Sequence, residues 1–360
     1  MKLHHTLYIS LTVLMLGIGQ VANASIPPIN NSPTLDLPKL LNWPRDIEPA
    51  VPDLSEPTSN RINDFHSDIK EDACDHIDIV FSTAGNYYMV LQEFWQDRFL
   101  VDNADVVRSW YYTTSPPISL EQILNADLTI GNLRIRCIPT VVAGPRRLMD
   151  QLREQGLIEG EPEPILRNRG NVILVKKGNP KQIRTIWDLG RLGVRVVTSN
   201  PDTEAGSFGN YSSSVYQIAA NNPIYGGWYF RYFTAEVLFN RVFNCRIEKK
   251  WLAGARIHHR EVPFSVALGK ADAGLFFYHL ARYTRDTFPE KFDIVALGGT
   301  PDDPQPLPGN NIATMFVAKV MKPNGGEFTE RQKLARDRFV ADILSEKFTD
   351  LLDDYFLDKP

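Results

Sequence analysis

The chain has 360 residues, 39 Lys and Arg against 43 Asp and Glu, a formal net charge of -4, and 43% hydrophobic residues. So mild a charge excludes the basic footprint of a nucleic-acid-binding protein and the strong field of an electrostatic membrane binder. Cys74, Cys137 and Cys245 are too few and too scattered for a disulfide scaffold. An oxidising compartment allows one bond among them, and spacing does not choose the pair.

The first 24 residues predict a secretory signal peptide. Lys2 precedes an apolar run from Leu7 to Gly17, and Ala22-Asn23-Ala24 has the small-x-small pattern of a cleavage site. The run is shorter than the roughly 20 residues of a membrane-spanning helix. The expected product is exported to the periplasm. The rest of the chain is long enough for two domains of about 100–200 residues each. Residues 25–70 are rich in Pro, Asn, Ser and Asp and keep no apolar period, so an irregular N-terminal arm over the surface is expected.

From Ile77 onward, strands and helices alternate. "HIDIVFSTAGN" reads as a strand ending in small residues, and "YYMVLQEFWQDRFL" as a helix with Val90, Leu91, Phe94 and Trp95 on one side. "DVVRSWYYTTSPP", "LRIRCIPTVV", "GNVILVKKGNP" and "GVRVVTS" continue the pattern, with helices such as "GPRRLMDQLREQGLI" between strands. The tail "ERQKLARDRFVADILSEKFTDLLDDYF" is helical with a periodic apolar face. Such alternation predicts an α/β fold with parallel or mixed sheets covered on both faces.

In open α/β sheets, ligands bind beyond the carboxyl ends of strands, at helix starts. Here those loops are Ser82-Thr83-Ala84-Gly85-Asn86, Thr113-Thr114-Ser115, Thr140 to Gly144, Thr198-Ser199, and Thr203-Glu204-Ala205-Gly206-Ser207. Free N–H groups at helix starts, together with hydroxyls, make an anion site without a fixed cation. Any one such loop is equally an ordinary N-cap; several at equivalent strand ends point to a binding cleft.

"NVILVKKGNPKQIRTIWDLGRLGVRVVTSNPDTEAG", "GKADAGLFF" and "RRLMDQLREQGLI" resemble segments of the molybdate-type periplasmic solute-binding proteins, and the matches span about residues 77 to 281. The resemblance implies a two-lobed type II periplasmic binding protein, each lobe a mixed sheet flanked by helices. The first lobe would hold 71–171 and 296–360, and the second 172–295. It implies no catalysis and no cofactor. It implies a monomer that holds a small oxyanion or carboxylate-bearing solute and delivers it to an ABC permease. Carried over by position, the ligand residues would be Thr83, Gly85, Asn86, Ser115, Thr203, Glu204 and Gly206. Three departures stand out. Gly85 falls where the family usually has a serine. The family's second serine falls near Val142, with Thr140 the nearest hydroxyl. Its tyrosine falls on Phe277, with Tyr278 one step off, and one step along a strand reverses the face.

"IHHREVPFSVALGKADAGLFF", from Ile257 to Phe277, is the stretch most suggestive of chemistry. Adjacent histidines diverge by about 100° on a helix, so His258 and His259 do not form the i, i+4 pair of a metal site. The reading here is a capped, solvated helix start, with the alternative that Arg260, or one histidine, faces the cleft as a donor to an anion or carboxylate. Two alternatives stand beside the importer reading. One is a sensory binding protein feeding a membrane receptor. The other is a periplasmic metal-dependent enzyme built on His258 and His259.

Overall fold

The computed structural model describes residues 25–35, 71–113, 119–126, 128–130, 133–135, 137–223, 233–254 and 258–360. The predicted signal peptide, arm residues 36–70 and Ser115 lie outside the described residues.

In chain order the strands are β1 (Thr34–Leu35), β2 (Ile79–Ser82), β3 (Trp110–Thr113), β4 (Leu128–Ile130), β5 (Leu133–Ile135), β6 (Val141–Pro145), β7 (Ile158–Arg167), β8 (Asn171–Lys176), β9 (Val196–Thr198), β10 (Trp251–Ala253), β11 (Ala273–Phe277), β12 (Phe292–Ala296) and β13 (Thr314–Val320). The helices are α1 (Tyr88–Phe94), α2 (Leu100–Asp102), α3 (Leu120–Leu124), α4 (Arg146–Glu154), α5 (Ala205–Asn221), α6 (Ala235–Phe243), α7 (His258–Ala267), α8 (Tyr278–Thr287), α9 (Glu330–Ile343) and α10 (Glu346–Thr349).

Two mixed sheets result, each flanked by helices. The first has the order β3-β2-β6-β13-β7, with β2 parallel to β3 and β6, and β13 antiparallel to β6 and β7. The second has the order β1-β10-β9-β11-β8-β12, with β8 antiparallel to β11 and β12. The period-two rule is visible in the first sheet. Ile79, Phe81, Trp110, Tyr112, Val141 and Ala143 enter one core cluster, while Val80, Tyr111 and Val142 enter the cluster on the opposite face. In the second sheet, Val172 to Val175 are all buried, because β8 is covered on both faces.

Local signals set several boundaries. Thr329 and Gln332 form a capping box that starts α9. Gly156, at φ +67°, ends α4 in the left-handed conformation that glycine adopts without strain. Cys74 and Cys137 form the disulfide, with Cα atoms 5.5 Å apart, joining the segment before β2 to the segment before β6. Cys245 is free.

From β2 onward the chain passes between the sheets twice, from β7 to β8 and from β12 to β13. Asparagines lace the two crossings together. Asn168 Oδ1 accepts from the Gly170 and Ala313 amides at 3.1 and 3.0 Å. Asn310 accepts from the Asn171 amide at 2.8 Å and donates to its carbonyl at 2.9 Å.

The arm is not irregular throughout. β1 pairs in parallel with β10 at the edge of the second sheet. The Asn30 amide donates to Asn244 Oδ1 at 2.7 Å, and Asn244 Nδ2 donates to the Pro28 carbonyl at 2.9 Å. A short polar segment carries no apolar period, so its docking was invisible in the sequence; it covers an edge that would otherwise stand open.

Candidate functional site at the junction of the two lobes

The loop after β2 carries the first lobe's contribution. Thr83 follows the strand and is buried, and its hydroxyl has no hydrogen-bond partner among the described residues. Ala84 is extended, and the turn Gly85–Tyr87 then opens α1 with no side chain capping it. Tyr88 and Met89 of α1 pack into the core of the second lobe.

Facing this loop are three helix starts of the second lobe. α5 follows Glu204 and α8 follows Phe277, and neither start has a side-chain cap. α7 begins at His258. Contacts across the junction are direct. Asn86 Nδ2 donates to Ser207 Oγ at 2.9 Å, and the Asn86 carbonyl oxygen lies 2.8 Å from His279 Nε2. The Tyr87 ring stacks on His279, with centroids 4.9 Å apart and planes 11° from parallel. The Arg260 guanidinium lies over the Tyr88 ring, 5.5 Å from its centroid.

The expected solvated helix start is therefore a buried one. His258, His259, Arg260 and Glu261 are all almost fully enclosed, at 0, 2, 1 and 3% exposure. The cause is tertiary: α7 packs on β8, β9 and β11 of the second sheet, and Tyr88 of α1 lies against Arg260. Within the cluster, His258 is held on both sides. Its Nδ1 lies 2.6 Å from Glu204 Oε1 and its Nε2 lies 3.0 Å from the Tyr211 hydroxyl. A carboxylate oxygen accepts, so Nδ1 carries a proton. Burial and the neighbouring Arg260 push the His259 pKa well down, and burial pushes His279 down to about 4. Burial likewise raises the Tyr211 hydroxyl.

The sequence-predicted residues divide into two groups. Thr83, Gly85, Asn86 and Arg260 are brought together at the junction and are buried. Glu204 is also there, but its carboxylate is engaged by His258 through both the ring and the backbone amide. Thr203 and Gly206 are exposed at the start of α5. Thr140 does not face the junction loop. Its hydroxyl exchanges hydrogen bonds with the backbone of Val80 at 3.1 and 3.2 Å, because Thr140 precedes β6 and sits beside the middle of β2. Tyr278 points elsewhere, its hydroxyl meeting the Asp302 carbonyl at 3.4 Å. It is Phe277, one step back, whose ring lies against Tyr87, Tyr211 and His279. Ser115 lies outside the described residues.

Two participants, His279 and Tyr87, were not predicted, whereas Ser199 belongs to the predicted loop Thr198-Ser199 and His259 to the histidine pair. Ser199 is fully buried, and its hydroxyl has no partner among the described residues. Its strand-end position and that of His279 at a helix start were signals available in the sequence. The burial of His259 was not.

The metal-enzyme alternative loses its ligand pair, since His258 uses both ring nitrogens on protein partners. Among the described residues, no group of three or more His, Cys, Asp or Glu is arranged to hold a metal ion. A groove of about 430 Å³ lies elsewhere, between β7, β13 and α9, lined by Glu159, Glu161, Glu163 and Asp337 with Lys319 and Leu344. Those elements supply nothing to the junction. The junction is the candidate site, because Thr83, His259 and His279, buried and with polar atoms unpartnered among the described residues, lie on the loop and helix starts that meet there.

Comparison with known proteins agrees with the architecture. PBP AgtB from A. tumefaciens R10, solved in complex with agropinic acid, has 12% sequence identity and a TM-score of 0.50, over 78% of this chain and 81% of that one. The Azotobacter vinelandii periplasmic molybdate-binding protein has 12% identity and a TM-score of 0.49, over 78% and 99%. The sulfate-binding protein SubI from Mycobacterium tuberculosis H37Rv has 14% identity and a TM-score of 0.48, over 78% and 85%. At 12% identity the likeness to AgtB concerns the fold alone, two mixed sheets flanked by helices as in the type II periplasmic binding proteins. No curated protein matches the sequence. Residues 139–355, more than half of the chain, match the profile of the bacterial extracellular solute-binding proteins, and the chain belongs to that family.

Proposed function

We propose that the protein is the periplasmic binding component of an ABC importer, taking a small anion between its lobes and delivering it to a membrane permease. The lobes on this reading are 71–171 with 296–360, and 172–295, and the asparagine-laced crossings are the hinge. The anion is a small oxyanion or a small carboxylate-bearing solute. The observation that carries this is the burial of the Arg260 guanidinium at the start of α7, in the same junction as the unpartnered hydroxyls of Thr83 and Ser199. A buried cation beside helix N-termini and hydroxyl donors stabilises negative charge, and guanidinium suits planar or tetrahedral oxygen clusters. Binding, closure and release complete the mechanism; no bond is made or broken.

Thermal shift over oxyanions and small organic acids tests the proposal. A true ligand at about 100 times its Kd adds roughly 2.7 kcal/mol. Arg260→Gln should abolish the shift while the protein stays folded. An undiminished shift in that variant would move the site away from the junction.

A further inference from the structure

His279 is the second residue of α8, and its Nε2 faces the carbonyl oxygen of Asn86 at 2.8 Å. A carbonyl oxygen only accepts, so Nε2 carries the hydrogen. Burial keeps the ring neutral, and Nδ1 is then a bare lone pair. That atom is buried and has no partner among the described residues. His259 repeats the pattern, with both ring nitrogens buried and unpartnered among the described residues. Whichever tautomer His259 takes when neutral, one of its nitrogens is a second acceptor. An anion accepts from the hydroxyls of this junction, but it offers nothing to a lone pair. Buried acceptors left unmet cost about 1–3 kcal/mol each.

Resting on the anion reading above, we infer that the ligand carries a hydrogen-bond donor beside its negative charge, as a protonated oxyanion or a hydroxy acid does, and that His279 Nδ1 accepts that hydrogen. The shared chemistry is an anionic oxygen cluster with an O–H attached. A fully deprotonated oxyanion of the same shape sets a lone pair against a lone pair and is rejected. Sites built to hydrogen-bond a ligand hydroxyl discriminate strongly against analogues that lack it. For one acceptor, the cost above corresponds to about 10- to 100-fold in Kd.

Calorimetric titration of the full mature chain at neutral pH with two matched pairs tests this. Phosphate, which keeps a proton at that pH, is paired with sulfate, which keeps none; lactate is paired with propionate. The donor-bearing member of at least one pair should bind about 10-fold or more tightly than its mate, and which pair responds tells the protonated oxyanion from the hydroxy acid. In His279→Phe, which retains a ring against Tyr87, the preference should collapse. In His279→Gln, which keeps a donor beside an acceptor, part of it should return. Should His279→Phe not fold, the wild-type ratios and the Gln variant decide. If sulfate or propionate binds as well as its mate, the inference is overturned while the anion reading stands. If none of the four binds, both fall.

Discussion

Glu204 Oε1 and His258 Nδ1 stand 2.6 Å apart, tying the start of α5 to the start of α7 inside the second lobe. A second carboxylate oxygen accepts from the His258 amide at 3.2 Å. Glu204 thus holds the start of α7 through both carboxylate oxygens. Glu204→Ala should leave the His258 N–H groups buried without an acceptor and cost about 1–3 kcal/mol in urea unfolding. Glu204→Gln should recover much of that. Unchanged stability with lost binding would return Glu204 to the ligand.

Asn86 links the loop after β2 to the second lobe, by its side chain to Ser207 and by its carbonyl to His279. Asn86→Ala removes the side-chain link, worth on the order of 0.5–1.5 kcal/mol. The ligand-free protein should expand in small-angle scattering, while ligand restores the compact form. An identical radius of gyration in both proteins would show that the link does not hold the lobes together.

Acid should weaken the protein through His279. Its pKa falls from 6.5 to about 4 on folding, so between those values the unfolded chain binds more protons than the folded one. Stability therefore rises with pH across that window and is lost as pH falls through it. The loss is on the order of 3 kcal/mol, with His259 acting in the same direction. Melting curves from pH 7 to pH 4 should show a shallower fall for His279→Gln than for the wild type. Parallel curves would remove His279 as the cause.

Removing residues 25–35 should leave a folded, binding-competent protein that is measurably weaker. β1 and the Asn30, Asn31 and Pro28 bonds to Asn244 and Cys245 are lost. A cost on the order of 2 kcal/mol corresponds to roughly 3 °C in Tm for a chain of this length. Calorimetry decides: an unchanged Tm means the docked segment contributes nothing.

The Cys74–Cys137 bond closes a loop with a sequence separation of 63. Loop-closure entropy for that length corresponds to on the order of 4 kcal/mol. The double Cys→Ala variant should unfold at correspondingly lower denaturant, with Cys245→Ala serving as the neutral control. If the Cys245 variant suffers more, the loop argument fails.

Much of the architecture follows from periodicities that act locally. The buried run Val172 to Val175 can only be a strand covered on both faces, and the alternation of Ile79, Val80 and Phe81 assigns each to its side of a sheet. The loop Thr83 to Asn86 was legible as a candidate site for the same reason, since a strand end and a helix start are both local features. The status of His258 and His259 was not. Their burial comes from segments remote along the chain: His258 meets Glu204 and Tyr211, and α7 packs on β8 and β9. Whether Phe277 or Tyr278 faces the junction depended on where β11 gives way to α8, a single-residue choice made by the surrounding packing. Nor did spacing say that Thr140 would bond to Val80 or Glu204 to His258. Sequence periodicity sets which face a residue presents to its own element; only the assembled lobes decide what covers that face, because burial and hydrogen-bond partners come from segments remote along the chain.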